Sequence, residues 1–361
     1  MAKKLRFLIP IILIMGVAGY FLLQNRQIEN FVARTKFQVR EAVEPIVKPK
    51  ATLPPSPTAK VLAGGYQTFQ TFNNCGPASL SMTLRYFGIS VSQHTLGDQL
   101  RPYQVASGDN DDKSTTLPEM AKKAESYGLL AYHRPNGNIE LIKQFISAGI
   151  PIITRTWTKV NEDIGHFRVI KGYDDAKGVI IQDDSLQGEN LEFSYDEFNI
   201  LWSKFNYEYL VLTRADQKDL AETILGKNLI ESIAWENAAA LSNAEVAKNP
   251  QNIDAIFNRS VAYYHLAKYK EAAADFEKVE LSLPFRTLWY QIEPILTYQK
   301  LKNYDRVLLI TQRVIDKGNR AFSEAYQIRG EVYQEQEKTD KAQTEFEKVL
   351  IYNKNFYKYW D

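Results

Sequence analysis

The pattern of apolar residues changes near residue 215, and this change sets the domain organisation. Before it, short apolar runs bounded by turn residues alternate with stretches of helical spacing, which is typical of strands and helices mixed in one domain. After it, turn signals become rare and helical spacing continues to the C-terminus. We therefore predict an α+β domain over residues 64–214 and an all-α domain over residues 215–361. In the first domain the expected helices are 78–87 and 117–127, and the expected buried strands are 150–156, 167–173, 179–182 and 207–212.

Length and composition agree with two folded units and exclude several function classes. The chain has 361 residues, of which 45% are hydrophobic, so it holds enough apolar material for two cores. Its formal net charge of +1 lacks the basic excess that binding to nucleic acid requires. One cysteine and four scattered histidines allow no intrachain disulfide and no zinc or iron–sulfur pattern. We predict no cofactor, no metal and no nucleic-acid partner.

The N-terminus carries a membrane signal, because the apolar run Phe7–Leu23 follows three cationic residues. Residues 1–25 are expected to be a membrane anchor or a signal segment. An uncleaved anchor is favoured, since apolar residues continue where a signal peptide needs a polar end. Cationic residues stay on the cytoplasmic side, so the bulk of the chain is expected to be extracytoplasmic, or secreted if the segment is cleaved. Five prolines lie between positions 45 and 57, and residues 26–63 are predicted to form a Pro-rich spacer.

The all-α region carries a pattern that repeats every 35 residues, at Ala272, Val307 and Ala342. Small residues at such positions allow two antiparallel helices to approach closely. The units resemble tetratricopeptide repeats over about residues 253–356, which implies a stack of helix pairs that binds a protein partner. We expect few contacts to cross the domain boundary near Arg214. About half of the aromatic residues on or beside the first helices are expected to be exposed for binding, and the alternative is that all of them serve packing. These residues are Tyr263, Tyr264, Trp289, Tyr290, Tyr326 and Tyr333.

The only cysteine, Cys75, stands at the predicted start of an amphipathic helix, in the sequence NNCGPASLSM. A cysteine in the first turn of a helix lies at the positive end of the helix dipole and beside unpaired backbone N–H groups, and both favour the thiolate. Pro77 suits an early helical position, where no N–H is needed. These properties favour a nucleophile; a buried structural cysteine is the alternative.

A nucleophilic thiolate needs an acid–base partner, and the candidate is His166, which opens the apolar strand HFRVIKGY. A carboxylate is needed to orient the imidazole, and the next strand ends in Asp183 and Asp184. Adjacent strand residues point to opposite faces, so only one of the two can contact the histidine. Asp183 is preferred and Asp184 is the alternative. Gln70, five residues before the cysteine, is predicted to donate its amide to an oxyanion, and Gln67 is the weaker candidate.

Three sequence blocks, NNCGPASLSM, GHFRVIKGYDD and IQDDS, resemble the papain-like C39 family of cysteine peptidases over about residues 64–213. The chain is especially similar to bacterial C39-like domains fused to tetratricopeptide repeats. The resemblance implies a papain-like fold with Cys75 as nucleophile, His166 as acid and base, Asp183 as orienting residue and Gln70 as oxyanion donor. Where the family commonly has Asp-Pro, this chain has two aspartates, which leaves the choice of carboxylate open.

The sequence thus predicts a membrane-anchored cysteine peptidase or related thiol acyl hydrolase that acts on peptide or protein substrates. Its helical repeats would recognise a protein partner. The alternative is a catalytically silent papain-like domain that forms a protein-binding scaffold together with the repeats.

Overall fold

The computed structural model of the chain describes residues 26–47, 51–53, 55–103 and 115–360. The expected membrane segment lies outside these residues. None of the helices within them combines the length and the apolar character that crossing a membrane requires.

The described residues of the first part of the chain form an N-terminal helix, then a sheet with helices on both faces. In chain order the elements are α1 (Arg26–Val47), β1 (Ala59–Val61), α2 (Cys75–Arg85), α3 (Gln93–Leu100), α4 (Leu117–Glu125), β2 (Leu130–Arg134), α5 (Ile139–Ser147), β3 (Ile152–Trp157), β4 (Gly165–Asp174), β5 (Val179–Asp184), β6 (Gly188–Ser194), α6 (Tyr195–Trp202) and β7 (Tyr209–Thr213). The two predicted helices and four predicted strands are present within a few residues, while β2 and β6 were not predicted.

The sheet has the order β2-β7-β3-β4-β5-β6, and all of its strand pairs are antiparallel. Nearly every residue of the central strands β3 and β4 is buried. Since successive side chains point to opposite sides, both faces of these strands are covered. One face packs against α2, α3 and α4 through residues such as Ile153 and Phe167. The other face packs against α5 and α6 through residues such as Ile152 and Ile170. The start of β4 and the end of β5 meet at one end of this sheet.

The segment that was predicted to be a Pro-rich spacer contains regular structure. Its first half forms α1, from which Arg34 contacts Ser232 and Glu236 in the helical region. Near its end, β1 pairs with the C-terminal part of β4, with Val61 opposite Gly172. Because β1 pairs with β4, the sheet includes residues that precede residue 64. A strand of three residues is stable only as part of a larger sheet.

The second part of the chain is helical, as predicted. Its helices are α7 (Lys218–Leu225), α8 (Glu231–Lys248), α9 (Ile253–His265), α10 (Tyr269–Val279), α11 (Thr287–Tyr290), α12 (Glu293–Lys300), α13 (Tyr304–Asp316), α14 (Ser323–Glu335) and α15 (Thr339–Tyr352). Small residues let helices approach closely, as expected: Ser260 donates to the Ala272 carbonyl at 2.7 Å, and a Cβ atom on Gly330 would lie 2.4 Å from the Phe346 ring.

The aromatic residues that were expected to supply a binding surface lie mostly in the core. Tyr264, Trp289, Tyr290 and Tyr326 are buried, while Tyr263 and Tyr333 are half-buried. The expectation that about half would be exposed is therefore wrong. Large aromatic side chains contribute most of the apolar area with which such helices pack.

The two parts of the chain share a packed interface, contrary to the expectation of few contacts near Arg214. Phe205 is fully buried in the core of the helical region, although it precedes β7. Arg101 forms a buried ion pair with Glu324 at 2.6 Å. The Asn258 amide donates to the Ser203 carbonyl at 2.6 Å.

Candidate active site

Cys75 is the first residue of α2, and no side chain caps this end of the helix. Asn73 adopts a left-handed conformation with φ of 54°, which asparagine tolerates better than most residues, and the Asn74 N–H closes the turn onto the Thr71 carbonyl at 3.1 Å. The first helical hydrogen bond of α2 runs from the Ala78 N–H to the Asn74 carbonyl. The N–H of Cys75 therefore precedes the hydrogen-bonded part of the helix and lies at its positive end, as the sequence predicted.

Cys75 lies close enough to His166 to be among the groups that raise the pKa of this histidine, so the structure brings together the first pair that the sequence predicted. One helical turn after the cysteine, the Ser79 hydroxyl donates to the Phe167 carbonyl at 3.2 Å. This bond ties α2 to the strand residue that follows the histidine. Cys75 is 7% exposed and His166 is 2% exposed, so both groups are largely screened from solvent.

The imidazole of His166 is oriented by Asp184. Its Nε2 atom lies 2.9 Å from the Asp184 Oδ1 atom. Because Nε2 is engaged in this way, Nδ1 is the ring nitrogen left to face Cys75. The three side chains thus lie in the order cysteine, histidine, aspartate.

The Asp184 carboxylate accepts three further hydrogen bonds. Arg168 Nε donates to Oδ2 at 2.9 Å, and the backbone N–H groups of Leu186 and Gln187 donate to Oδ1 at 2.6 and 3.0 Å. Burial alone would raise the pKa of Asp184, but the hydrogen bond and charge of His166, together with Arg168, lower this pKa to about 2. The carboxylate is therefore ionised throughout the neutral range.

The pKa of His166 is raised above its ordinary value. Burial acts to lower this pKa, but the hydrogen bonds to Asp184 and Cys75 and the negative charges of both groups outweigh it. A raised histidine pKa favours the imidazolium form, and an imidazolium favours a neighbouring thiolate.

The preferred carboxylate, Asp183, does not contact His166; the alternative, Asp184, does. Asp183 instead pairs with Lys171 at 2.5 Å and accepts from the Asn190 N–H at 3.0 Å. The strand register gives the reason. Arg168 is opposite Asp184 and Val169 is opposite Asp183, so the even-numbered residues of both strands share the face of the histidine at this end of the sheet.

Both candidate glutamines bond to the end of β5. Gln70 Oε1 accepts a hydrogen bond from the Ser185 hydroxyl at 2.8 Å, and the Gln70 N–H donates to the Ser185 carbonyl at 2.7 Å. Gln67 Nε2 donates to the Asp184 carbonyl at 3.0 Å. The structure thus brings Gln70 to the strand that carries the aspartate, with Nε2 as the amide atom left to act as a donor.

Arg168 belongs to this site, although no role was predicted for it from the sequence. It is fully buried, and besides Asp184 it donates to the Thr156 hydroxyl at 2.5 Å and to the carbonyls of Trp157 and Thr158 at 2.8 and 2.7 Å. A signal was present in the sequence. An arginine two positions after a histidine in an apolar strand lies on the same face, and a buried cation needs a carboxylate.

The site can therefore hold a nucleophilic sulfur, a proton donor and acceptor, and a fixed negative charge behind the imidazole. These are the parts that acyl transfer by a thiol requires. Within the described residues no cluster of three or more histidine, cysteine or acidic side chains could hold a metal ion. The fold and the site together define an α+β domain with a Cys–His–Asp site.

Comparison with known families gives this domain a family. Residues 61–215 match the Peptidase_C39 like family. These residues are a C39-like peptidase domain, in agreement with the resemblance of the sequence motifs. The match ends close to the start of the helical region, in which no tetratricopeptide repeat was identified.

A search of curated proteins found no match. Among solved structures, the chain is similar to a proposed C39-like peptidase from Bacillus anthracis, with 19% identity over 43% of this chain and 98% of that chain and a TM-score of 0.34. It is also similar to a double glycine motif protease from an AMS/PCAT transporter, whose structure contains the leader peptide. This second likeness has 22% identity over 44% of this chain and 99% of that chain, with a TM-score of 0.32.

Proposed function

We propose that the chain is a cysteine peptidase, or a closely related thiol acyl hydrolase, in which Cys75, His166 and Asp184 act as one unit. The observation that carries this proposal is the 2.9 Å contact of His166 with Asp184, together with the raised pKa of the histidine, to which Cys75 contributes. A buried aspartate that is held by an arginine and two backbone N–H groups fixes the imidazole in one orientation.

The reaction proceeds in two halves. The Cys75 sulfur attacks the carbonyl carbon of the substrate, and the proton on His166 passes to the leaving nitrogen, which leaves a thioester. Water then attacks the thioester carbonyl and His166 accepts a proton from the water. Breaking of the C–S bond releases the carboxylic acid and restores the thiolate of Cys75 beside the imidazolium of His166. Asp184 exchanges no proton, because its low pKa keeps it ionised. Its negative charge stabilises the imidazolium.

The oxyanion of each tetrahedral intermediate is assigned to the Cys75 N–H and the Gln70 amide. The Cys75 N–H precedes the first hydrogen bond of α2. Ser185 holds Gln70 Oε1, which leaves Nε2 to donate. Two such donors, fixed before the reaction, stabilise negative charge as it develops.

Peptides are the proposed substrates. Apolar side chains are exposed on the two segments that carry the site: Phe69 and Phe72, which are 64% and 46% exposed, precede Cys75, and Leu186, which is 53% exposed, follows Asp184. Exposed apolar residues beside a reactive group fit the side chains of an extended polypeptide.

We further propose an extracytoplasmic location and a role of the helical region in protein recognition. The location depends on the charge distribution around the apolar N-terminal segment. The recognition role depends on the 35-residue repeat and on helix pairs that resemble tetratricopeptide repeats. Proteolysis of intact cells tests the location, because an external protease would leave the chain intact if the bulk were cytoplasmic. Affinity capture with the full chain, beside a full chain in which the exposed Leu281 and Leu309 are replaced by charged residues, tests the recognition role.

A catalytically silent scaffold is the second candidate, and one observation favours it. The side chains of Cys75 and His166 are almost completely buried, so a substrate must displace neighbouring groups to reach the sulfur. Under this alternative the cysteine would be no more reactive than an ordinary thiol.

The experiment that separates the two candidates measures Cys75 directly. The rate of Cys75 alkylation by iodoacetamide is followed by mass spectrometry in the full chain at about pH 6, beside glutathione, and the same protein is incubated with a peptide library. An activated thiolate should react at least about tenfold faster than glutathione. New peptide termini should appear with the natural chain and be absent with Cys75→Ala or His166→Ala. A rate equal to that of glutathione, with no new termini, would establish the scaffold.

A further inference from the structure

Arg155 lies on the same side of the sheet as the helix that begins with Cys75. It is opposite Phe167 in the pairing of β3 with β4, and it stands two positions after Ile153. Both Ile153 and Phe167 pack in one apolar cluster with Cys75. Cross-strand partners and residues two apart share a face, so Arg155 lies on the face of the sheet that packs against α2.

The guanidinium of Arg155 is held by the helical region. Its Nη2 atom donates to the Tyr290 carbonyl in α11 at 2.8 Å. The Tyr290 ring lies 5.6 Å from the guanidinium carbon, and the rings of Phe205 and Phe167 lie at 4.7 and 5.8 Å. Arg155 is 5% exposed, so its position depends on packing rather than on solvent.

Several charged groups surround this guanidinium, and Glu119 and Glu324 line the same cavity as Arg155. Burial lowers the pKa of Arg155, while Glu208, Glu293, Tyr290 and the charge of Cys75 raise it. Glu208 lies 3.3 Å from His133 and Glu293 lies 3.6 Å from His265, so each carboxylate has a second, titratable neighbour. An arginine remains charged in a protein interior. A positive charge close to a cysteine favours its thiolate over its thiol.

We propose that Arg155 is a positioning residue through which the docked helical region increases the reactivity of Cys75. This inference rests on the proposed function, since it requires a reactive thiolate. His166 supplies one positive charge to the sulfur by direct contact. Arg155 supplies a second positive charge through space, and the Tyr290 carbonyl and ring keep that charge in place. The helical region thus contributes to the chemistry of a site whose side chains all belong to the peptidase domain.

The test is the pH dependence of Cys75 alkylation by iodoacetamide in the full chain with Arg155→Met. Loss of the positive charge should raise the pH of half-maximal rate by about 0.5 to 1 unit, which lowers the rate on the acidic side by about three- to tenfold. Arg155→Gln is a second neutral variant, whose amide can still donate to the Tyr290 carbonyl. Arg155→Lys keeps the charge, so its profile should stay close to that of the natural chain.

Arg101→Met is the matched control, because it also removes a buried arginine that bonds to the helical region, through Glu324. It should lower the melting temperature without moving the alkylation profile. The inference is overturned if the neutral variants keep the natural profile, or if the control moves the profile as far as they do. If the natural chain reacts no faster than glutathione, the proposed function itself fails, and this outcome is distinct from both.

Discussion

At the scale of single residues, Asp184 controls how the site responds to pH. Burial lowers the pKa of His166, but the Asp184 and Cys75 contacts raise it above the ordinary value. The imidazolium form of His166 therefore persists to a higher pH than burial alone would allow. Activity should decline on the alkaline side where this imidazolium loses its proton.

Asp184→Asn should move the alkaline limb of the kcat/KM profile to lower pH. The neutral amide no longer supports the positive charge, so the His166 pKa falls and the imidazolium deprotonates earlier. At neutral pH, kcat/KM should also fall by about 10²-fold or more, because the imidazole loses its fixed orientation. The profile is measured with a cleaved library peptide between about pH 5 and pH 10.

Asp183→Asn is the control for this prediction, because Asp183 is equally buried but pairs with Lys171 instead of the histidine. Its alkaline limb should coincide with that of the natural chain. An unchanged limb in Asp184→Asn, or the same displacement in both variants, would contradict the role assigned to Asp184.

The sequence predicted the pair Cys75 and His166 because each has a local signal: a helix start in one case and a strand start in the other. The third residue has no such signal. Asp183 and Asp184 differ by one position, and which of them faces the histidine depends on the register of two strands. Register is set by packing of the whole sheet, so it could not be read from the local sequence. Arg168, which would have indicated the correct face, was overlooked.

At the scale of elements, the distance from the Cys75 thiol to the His166 imidazole depends on the hydrogen bond that joins α2 to β4. The Ser79 hydroxyl donates to the Phe167 carbonyl, one turn after Cys75 and next to His166 in the strand. Two residues further along the same helix, the Ser81 hydroxyl donates to the Val91 carbonyl, away from the site. The two serines are chemically matched and both are buried.

Ser79→Ala should slow the alkylation of Cys75 by several-fold, because the start of α2 can then shift relative to the histidine. Ser81→Ala should leave this rate unchanged. Each variant should lower the free energy of unfolding by about 1 kcal/mol, since each removes one buried hydrogen bond. Urea titration measures the stability, and mass spectrometry measures the rate. Equal rates in the two variants would show that the Ser79 bond does not set the geometry of the site.

The elements that the sequence predicted are those with strong periodicity. The strands β3, β4, β5 and β7 each contain at least two consecutive large apolar residues and are buried along most of their length, and the structure confirms them. The strand β6 alternates half-buried and exposed residues and has few large apolar side chains, so its pattern resembles a loop. The short strand β1 is defined by pairing with β4 rather than by its own residues.

At the scale of the whole molecule, the peptidase domain and the helical region pack as one structure. The side-chain amides of Asn353 and Asn355 donate to the carbonyls of Leu100 and Asp98, at 3.3 and 2.9 Å. Together with the Arg101–Glu324 ion pair, these bonds join the two parts through residues that are far in sequence from residue 215. The composition change at residue 215 correctly marks where helices begin, but composition carries no information on how much surface two neighbouring parts share.

A chain truncated after Arg214 should therefore fail to form a stable domain. Truncation exposes the fully buried Phe205 and removes Glu324 and Tyr290, which bond to Arg101 and Arg155, and burial of one large apolar side chain alone contributes about 1.5–3 kcal/mol. This is a large part of the roughly 5–15 kcal/mol that stabilises a typical domain. Deletion of residues 1–47 is the control: the described contacts of α1 with the rest of the chain include the surface pair of Arg34 with Glu236, worth about 1 kcal/mol or less. Circular dichroism should show cooperative melting for the control and none for the truncated chain. A truncated chain that melts cooperatively within a few degrees of the full chain would show that the peptidase domain is independent of the helices packed against it.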